Sequence, residues 1–119
     1  MVAVEADDGR AALVVVESPD RVDLRKVHRI MGATSVRLLS EAEMRSLAPD
    51  CDPGALPAIG ELFGLATYAD YAVHEHPRIR FEAGNHRCSV AVDRRAWERC
   101  ADVTYGDLIV EEEGPWAPV

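Results

Sequence analysis

Lysine is nearly absent from this sequence, in which 12 of the 13 basic residues are arginines and only Lys26 is a lysine. Basic residues are also outnumbered, because 21 acidic side chains give a formal net charge of −8. Broad, non-specific binding to phosphate backbones needs clustered cations. The balance argues against such a protein, but it allows a small site that grips only the end of a nucleic acid.

Long apolar runs and paired cysteines are missing as well. No run approaches the roughly 20 residues that cross a bilayer, and "MVAVEADDGR" lacks the basic and apolar regions of a signal peptide. Cys51, Cys88 and Cys100 are odd in number and widely spaced, which is typical of reduced cysteines in a cytoplasmic protein. With 119 residues and 48% apolar residues, one ordinary globular domain is expected.

The pattern of apolar residues predicts strands interleaved with helices. Strands are predicted over residues 2–6, 11–17, 34–39, 65–70, 78–84 and 88–93. Helices are predicted over residues 22–31, 40–48 and 93–101, with a helical turn at 71–76 and a strand or short helix within 102–110. The fold class is therefore α+β with a mixed sheet, in a folded domain of residues 1–112 followed by an acidic, flexible tail of residues 113–119.

Particular residues mark the expected helix ends. Gly32 is a C-terminal stop, and Ser40 with Glu43 three residues later forms a capping-box pattern. Asp93 is the expected N-cap of the last helix, and Trp97 lies on its inner face.

Histidine and cysteine spacing raises two alternatives. His74 with His76, and His86 with Cys88, stand two apart and would share a face on strands, as zinc ligands do. The competing interpretation is surface histidines and one buried cysteine. Cys51 or Cys88 could serve as a nucleophile, but acidic neighbours disfavour the Cys51 thiolate, and three structural cysteines are the favoured interpretation.

Two glycine-containing stretches can act through their backbones. "DCDPGALPAIG" (residues 50–60) has two prolines and two glycines, which forbids regular structure and allows N–H and C=O groups to face a ligand. "FEAGNH" (residues 81–86) can form an anion-binding nest with His86 at its rim as a hydrogen-bond donor or general base. Taken singly, each stretch also fits an ordinary loop or hairpin turn.

Together with "RVDL…GATSVRLLSE", these stretches resemble the YbaK/ProX family of aminoacyl-tRNA editing domains over roughly residues 2–110. The resemblance implies one α+β domain with a partly barrel-like mixed sheet. It also implies hydrolysis of the ester that joins a wrong amino acid to the 3′ end of tRNA. The implied catalytic residue is His86, which would bind the terminal ribose or the attacking water. The implied substrate-binding residues are Gly54, Ala55, Leu56, Pro57, Gly60, Ala83 and Gly84.

The sequence departs from the family pattern at three places. The Lys of the usual Lys-Thr pair aligns just before Met1, so this segment and the helix before it are not in the sequence. Glu82 replaces the usual Asn, and Ala58 replaces a second Pro. These departures keep open an alternative: a catalytically impaired or truncated YbaK-like domain that binds a tRNA end or a protein.

The resemblance also sets expectations for partners. The expected partner is the 3′ aminoacyl end of tRNA, and an aminoacyl-tRNA synthetase is a further candidate. No metal, cofactor or membrane is expected, the expected compartment is the cytoplasm, and monomer and homodimer both remain open.

Overall fold

The computed structural model describes residues 1–111. Its strands are β1 (Val2–Ala6), β2 (Ala11–Val15), β3 (Val36–Leu38), β4 (Ala66–Asp70), β5 (Arg78–Glu82), β6 (Ser89–Asp93) and β7 (Thr104–Gly106). Its α-helices are α1 (Leu24–Met31), α2 (Glu41–Leu47) and α3 (Arg94–Ala101), and 3₁₀ turns span Gly60–Phe63 and Tyr71–Glu75. The tail predicted at residues 113–119 lies outside the described residues.

Five strands form a mixed sheet in the order β3-β1-β2-β4-β7, and β5 pairs with β6 in a separate hairpin. The β1–β2 and β1–β3 pairs are antiparallel, whereas β2–β4 and β4–β7 are parallel. The predicted α+β class with a mixed sheet and surrounding helices is confirmed. The segment left open between strand and short helix contributes strand β7.

The central strand β2 carries apolar side chains on both faces because both faces of the sheet are covered. Val14 packs with Val27 of α1 in one core cluster, whereas its neighbour Leu13 packs toward Met44 of α2. A third cluster surrounds Trp97 of α3 and joins it to the β5–β6 hairpin through Ile79. The same cluster contains Val15 of β2 and Ala69 of β4, so the β5–β6 hairpin shares one core with α3 and the main sheet.

Local signals explain where the helices begin and end. Asp23 caps α1 by accepting a 2.9 Å hydrogen bond from the Arg25 N–H, so α1 begins at Leu24 rather than at the predicted residue 22. Gly32 ends α1 with φ of 66°, and the predicted capping box of Ser40 and Glu43 is present at α2. Asp93 holds the predicted N-cap position of α3, but its carboxylate makes no capping hydrogen bond.

Within the described residues, none of the helices is both long and apolar enough to cross a membrane.

Candidate functional site

The loop of residues 50–60 and the turn of residues 83–86 are joined by their backbones. The Asp52 N–H donates to the Gly84 carbonyl at 2.8 Å, and the Gly84 N–H donates to the Ala55 carbonyl at 2.9 Å. A turn between Ala55 and Asp52, with a 3.0 Å hydrogen bond, brings both partners of Gly84 to the same side. The two stretches singled out in the sequence therefore form one unit, although residues 61–82 separate them along the chain.

Glycine is required at two positions of this unit. Gly54 has φ of 104° and Gly84 has φ of 99°, a region that residues with a Cβ rarely adopt. Space is not the constraint, because a Cβ on Gly54 would stand 3.8 Å from His86 Cε1 and one on Gly84 would stand 3.5 Å from Cys51 Sγ. The backbone conformation itself selects glycine here.

The far end of the loop is fixed to the core. The Trp97 indole N–H donates to the Ala58 carbonyl at 2.7 Å, and the Gly60 N–H donates to Thr67 Oγ1 at 2.7 Å. A Cβ on Gly60 would lie 2.5 Å from the Leu65 carbonyl oxygen, so the close approach itself requires glycine. Gly60, predicted as a substrate-binding residue, is buried against the core in this structure.

A cleft of about 330 Å³ lies between the loop, the end of β2 and strand β5. Its lining includes Val16, Ser18, Gly54, Leu56, Arg80 and Glu82. A smaller, almost wholly apolar cavity of about 180 Å³ adjoins it, with Leu13, Leu39 and Met44 in its walls. Gly54 and Leu56 line both spaces, so the loop stands between a cleft of mixed polar and apolar lining and an apolar cavity.

Of the other predicted substrate-binding residues, none lines this cleft. Ala55, which belongs to the loop, is fully buried, and its carbonyl accepts the hydrogen bond from the Gly84 N–H. The Pro57 carbonyl accepts a 2.8 Å hydrogen bond from the Ile59 N–H, and the Ala83 N–H donates to the Cys88 carbonyl at 2.9 Å. These residues shape the loop and the turn, and they do so with their backbone groups.

His86 stands at the edge of the unit beside Glu82. Its Nδ1 lies 2.8 Å from Glu82 Oε2, although the two groups are not aligned as a hydrogen bond. The His86 side chain is 64% exposed and that of Glu82 is 43% exposed, yet Glu82 Oε2 itself is shielded from solvent. The carboxylate that departs from the family pattern thus lies against the histidine.

Two polar residues that the sequence analysis did not single out, Ser18 and Arg80, also line the cleft. The signal for Arg80 was present, since "RIRFE" alternates arginine with apolar residues and so sets the arginines on one face of a strand. Ser18 follows β2 with no pattern that distinguishes it from an ordinary turn residue.

The single lysine is engaged elsewhere. Lys26 lies on α1, and its Nζ is 2.9 Å from Asp107 Oδ1. That hydrogen bond raises the pKa of Lys26 above its ordinary value. Lys26 is not among the residues that line the cleft.

The histidines considered as metal ligands have separate neighbours. His74 packs edge-on against Tyr105 with ring centroids 5.2 Å apart, and His76 Nε2 lies 2.7 Å from Glu17 Oε2. Within residues 1–111, no group of three or more His, Cys, Asp or Glu side chains is arranged to hold a metal ion. Cys88 is exposed, so the alternative of a buried cysteine here is wrong: it lies in the turn, outside the paired part of the hairpin.

Fold and cleft together define a single-domain α+β protein in which the loop of residues 50–60 lines the cleft and is joined by its backbone to the turn of residues 83–86. The sequence profile described as "Aminoacyl-tRNA editing domain" matches residues 1–100. The chain therefore belongs to the aminoacyl-tRNA editing domain family, the YbaK/ProX family to which its motifs point. A comparison with curated protein sequences yields no significant match.

Solved structures share the fold. A candidate trans-editing enzyme for prolyl-tRNA synthetase superposes with a TM-score of 0.82 at 23% identity, covering 92% of this chain and 68% of that one. A scaffold protein used for epitope backbone grafting by computational design gives 0.82 at 22% identity, covering 93% and 70%. A candidate signal transduction protein from Marinobacter aquaeolei VT8 gives 0.74 at 22% identity, covering 93% of this chain and 24% of that one. At these identities the likeness establishes the fold.

Proposed function

We propose that this chain is an aminoacyl-tRNA deacylase, which hydrolyses in trans the ester between a wrong amino acid and the 3′ end of tRNA. The observation that carries the proposal is the reciprocal hydrogen bonding between Gly84 and the loop at Asp52 and Ala55. It holds Gly54 along one wall of a cleft. His86 is not in the cleft lining, but its Cε1 would lie 3.8 Å from a Cβ on Gly54. Family membership supports tRNA as the substrate.

Ester hydrolysis needs a water molecule from which a base removes a proton as the bond to the carbonyl carbon forms. His86 is the proposed base. Glu82 next to Nδ1 favours the tautomer with its proton on Nδ1, which leaves Nε2 to accept the proton from water. The same carboxylate stabilises the imidazolium that results, and the imidazolium then protonates the departing ribose oxygen.

The negative charge that develops on the ester oxygen needs hydrogen-bond donors. The N–H groups of Gly54 and Leu56 have no acceptor among residues 1–111, and both residues line the cleft. They are the proposed donors. A loop stiffened by prolines can supply such donors without a lysine or arginine at the reacting carbon.

The adjoining apolar cavity is the proposed site for the side chain of the amino acid. Its walls of Leu39, Met44 and Leu56 favour an apolar side chain over a charged one, and its volume of about 180 Å³ favours a small one. Because the tRNA ends are identical, such a pocket can select among the esters only by excluding amino acid side chains of the wrong size or polarity.

A second candidate function is a module that binds the aminoacyl end without hydrolysing it. The observation that favours it is the position of Lys26, the single lysine, which is bonded to Asp107 and does not line the cleft. Lys26 therefore does not take the place of the lysine of the Lys-Thr pair, which is the family residue linked to activity.

Deacylation of a panel of mischarged tRNAs separates the two candidates. The purified chain is incubated with tRNAs that carry labelled small apolar, polar and charged amino acids, and loss of label from the tRNA is followed. We expect turnover of at least one small apolar ester. We expect His86→Ala to lower kcat/KM by about 10²-fold or more. The matched control is His74→Ala, which removes an exposed histidine outside the cleft and should leave kcat/KM unchanged.

Absence of turnover on every ester at high protein concentration would refute the deacylase and leave the binding module. Equal rates for His86→Ala and the parent chain would refute the role of His86. Glu82→Gln tests the positioning role: it should lower kcat and alter the pH profile while KM stays nearly constant.

A further inference from the structure

Basic side chains outnumber acidic ones in two segments of this acidic protein, residues 21–29 and residues 78–99. Residues 78–99 carry six of the 13 basic side chains and three of the 21 acidic ones. This segment consists of the β5–β6 hairpin and α3. Residues 78–99 contribute to the cleft lining, whereas residues 21–29 do not, so this segment is the positive surface that a polyanion held in the cleft would reach.

Arg78 and Arg80 occupy one face of β5, because Ile79 between them points to the core and is buried. Both arginines are exposed. Arg78 Nη2 donates to the Ala91 carbonyl at 3.2 Å, and Arg80 Nη1 donates to Ser89 Oγ at 3.2 Å. The side chains are therefore held across β6 by neutral acceptors.

Within the described residues neither guanidinium group forms an ion pair, although Asp93 is the cross-strand partner of Arg78 and Glu82 lies on the same face of β5 as Arg80. Among residues 1–111, no Asp or Glu oxygen lies within 4.0 Å of either arginine, although several other arginines of the chain have such partners. A guanidinium that is oriented but not neutralised keeps donors for a phosphate, which it binds through two parallel hydrogen bonds.

The position of Arg80 links this face to the cleft. Arg80 lines the cleft together with Gly54, while Arg78 lies one strand repeat of about 7 Å away. We propose that Arg80 and Arg78, here called the arginine track, bind successive phosphates of the single-stranded 3′ end of tRNA as it leaves the cleft. The inference rests on the proposed function, since it assumes that the cleft holds the terminal nucleotide.

The partner is argued from charge and geometry. A strand of RNA presents phosphates at regular intervals, which matches two arginines in line, and end-only binding is compatible with the acidic remainder of the protein. A track of two contacts predicts weak, strongly salt-dependent binding rather than tight binding.

Salt-dependent binding of uncharged tRNA tests the track without any catalytic step. Dissociation constants are measured by fluorescence anisotropy at several salt concentrations for the parent chain and for the variants Arg78→Gln and Arg80→Gln. Each is expected to weaken binding about tenfold and to reduce the slope of log K against log salt by about 0.7. Arg80→Lys keeps the charge and should retain the slope. Arg29→Gln, an exposed arginine on α1, is the matched control for net charge and should leave the slope unchanged.

The outcomes distinguish this inference from the proposed function. Loss of binding in the two track variants supports the track even if no ester is hydrolysed, in which case the deacylase fails alone. Three results would overturn the track: a salt slope that is unchanged in both variants, a salt slope that Arg29→Gln reduces equally, or no measurable binding of tRNA to the parent chain. If a poly-glutamate peptide displaces labelled tRNA as well as unlabelled tRNA does, the track is overturned in favour of an acidic protein partner. Matched circular dichroism spectra confirm that the variants are folded.

Discussion

Replacing Trp97 by Phe tests how the loop of residues 50–60 is held. Trp97 is 1% exposed and packs in the cluster that joins α3 to the β5–β6 hairpin. Its indole N–H donates to the Ala58 carbonyl, which belongs to a buried residue in the cleft wall. Phenylalanine keeps most of the apolar packing but removes the donor.

The expected cost has two parts. An unsatisfied buried carbonyl costs about 1–3 kcal/mol, and the smaller ring fills less of the core, which costs about 1–2 kcal/mol. We therefore expect the free energy of unfolding to fall by about 3 kcal/mol. For a chain of 119 residues this corresponds to a fall in Tm of roughly 10–15 °C.

Urea and thermal unfolding, followed by far-ultraviolet circular dichroism, measure this change. An m-value equal to that of the parent chain shows that unfolding exposes the same amount of surface in both proteins. Arg99→Gln on the exposed side of α3 is the control and should stay within about 0.5 kcal/mol. Hydrogen exchange at the Asp52 and Gly84 amides should quicken in Trp97→Phe. A fall in stability below about 1 kcal/mol with unchanged exchange would refute the reasoning, since the Ala58 carbonyl would then not depend on Trp97.

Two further predictions concern stability. Gly60→Ala should cost at least about 2 kcal/mol, because its Cβ would stand 2.6 Å from Thr67 Oγ1 and would disturb a buried hydrogen bond; a Tm equal to that of the parent chain would contradict this. Hydrogen bonding from Arg37 lowers the pKa of Glu43 from 4.5 to about 2. A carboxyl with a lowered pKa contributes stability that is complete above its ordinary pKa and is lost as the pH falls toward the lowered one. Urea unfolding at about pH 5 and about pH 3 should therefore show a smaller loss of stability in Glu43→Gln than in the parent chain, and equal losses would contradict the linkage.

Much of the fold follows from local signals in the sequence. The capping box at Ser40, the glycine stop at Gly32 and the inward Trp97 depend on neighbours within a few residues, so the pattern alone predicts them. Boundaries were less predictable, because strands end where their ladder partners end. Strand β2 stops at Val15, the last of its residues that pairs with β4, and the sequence pattern contains no such limit.

In the candidate site, too, local features could be predicted from the sequence and long-range contacts could not. Loop 50–60 and turn 83–86 were recognisable from glycine and proline placement. The hydrogen bonds that join Gly84 to Asp52 and Ala55 are long-range and depend on where the hairpin lies in the folded chain. The roles within the loop also needed the structure, since Gly54 lines the cleft whereas Gly60 packs against the core. The position of Arg80 at the cleft likewise depends on where the face of β5 lies in the folded chain.

The two hydrogen bonds between the loop and Gly84 involve only main-chain atoms, and this has a consequence for the diversification of the protein. The side chain of Leu56 can change in size or polarity without removing a bond that holds the walls together, as long as Gly54 and Gly84 are kept. If the cleft binds the aminoacyl end as proposed, the atoms that contact the substrate differ from the atoms that hold the walls together. Single substitutions at Leu56 are then expected to change selectivity while the main-chain frame around the cleft stays the same.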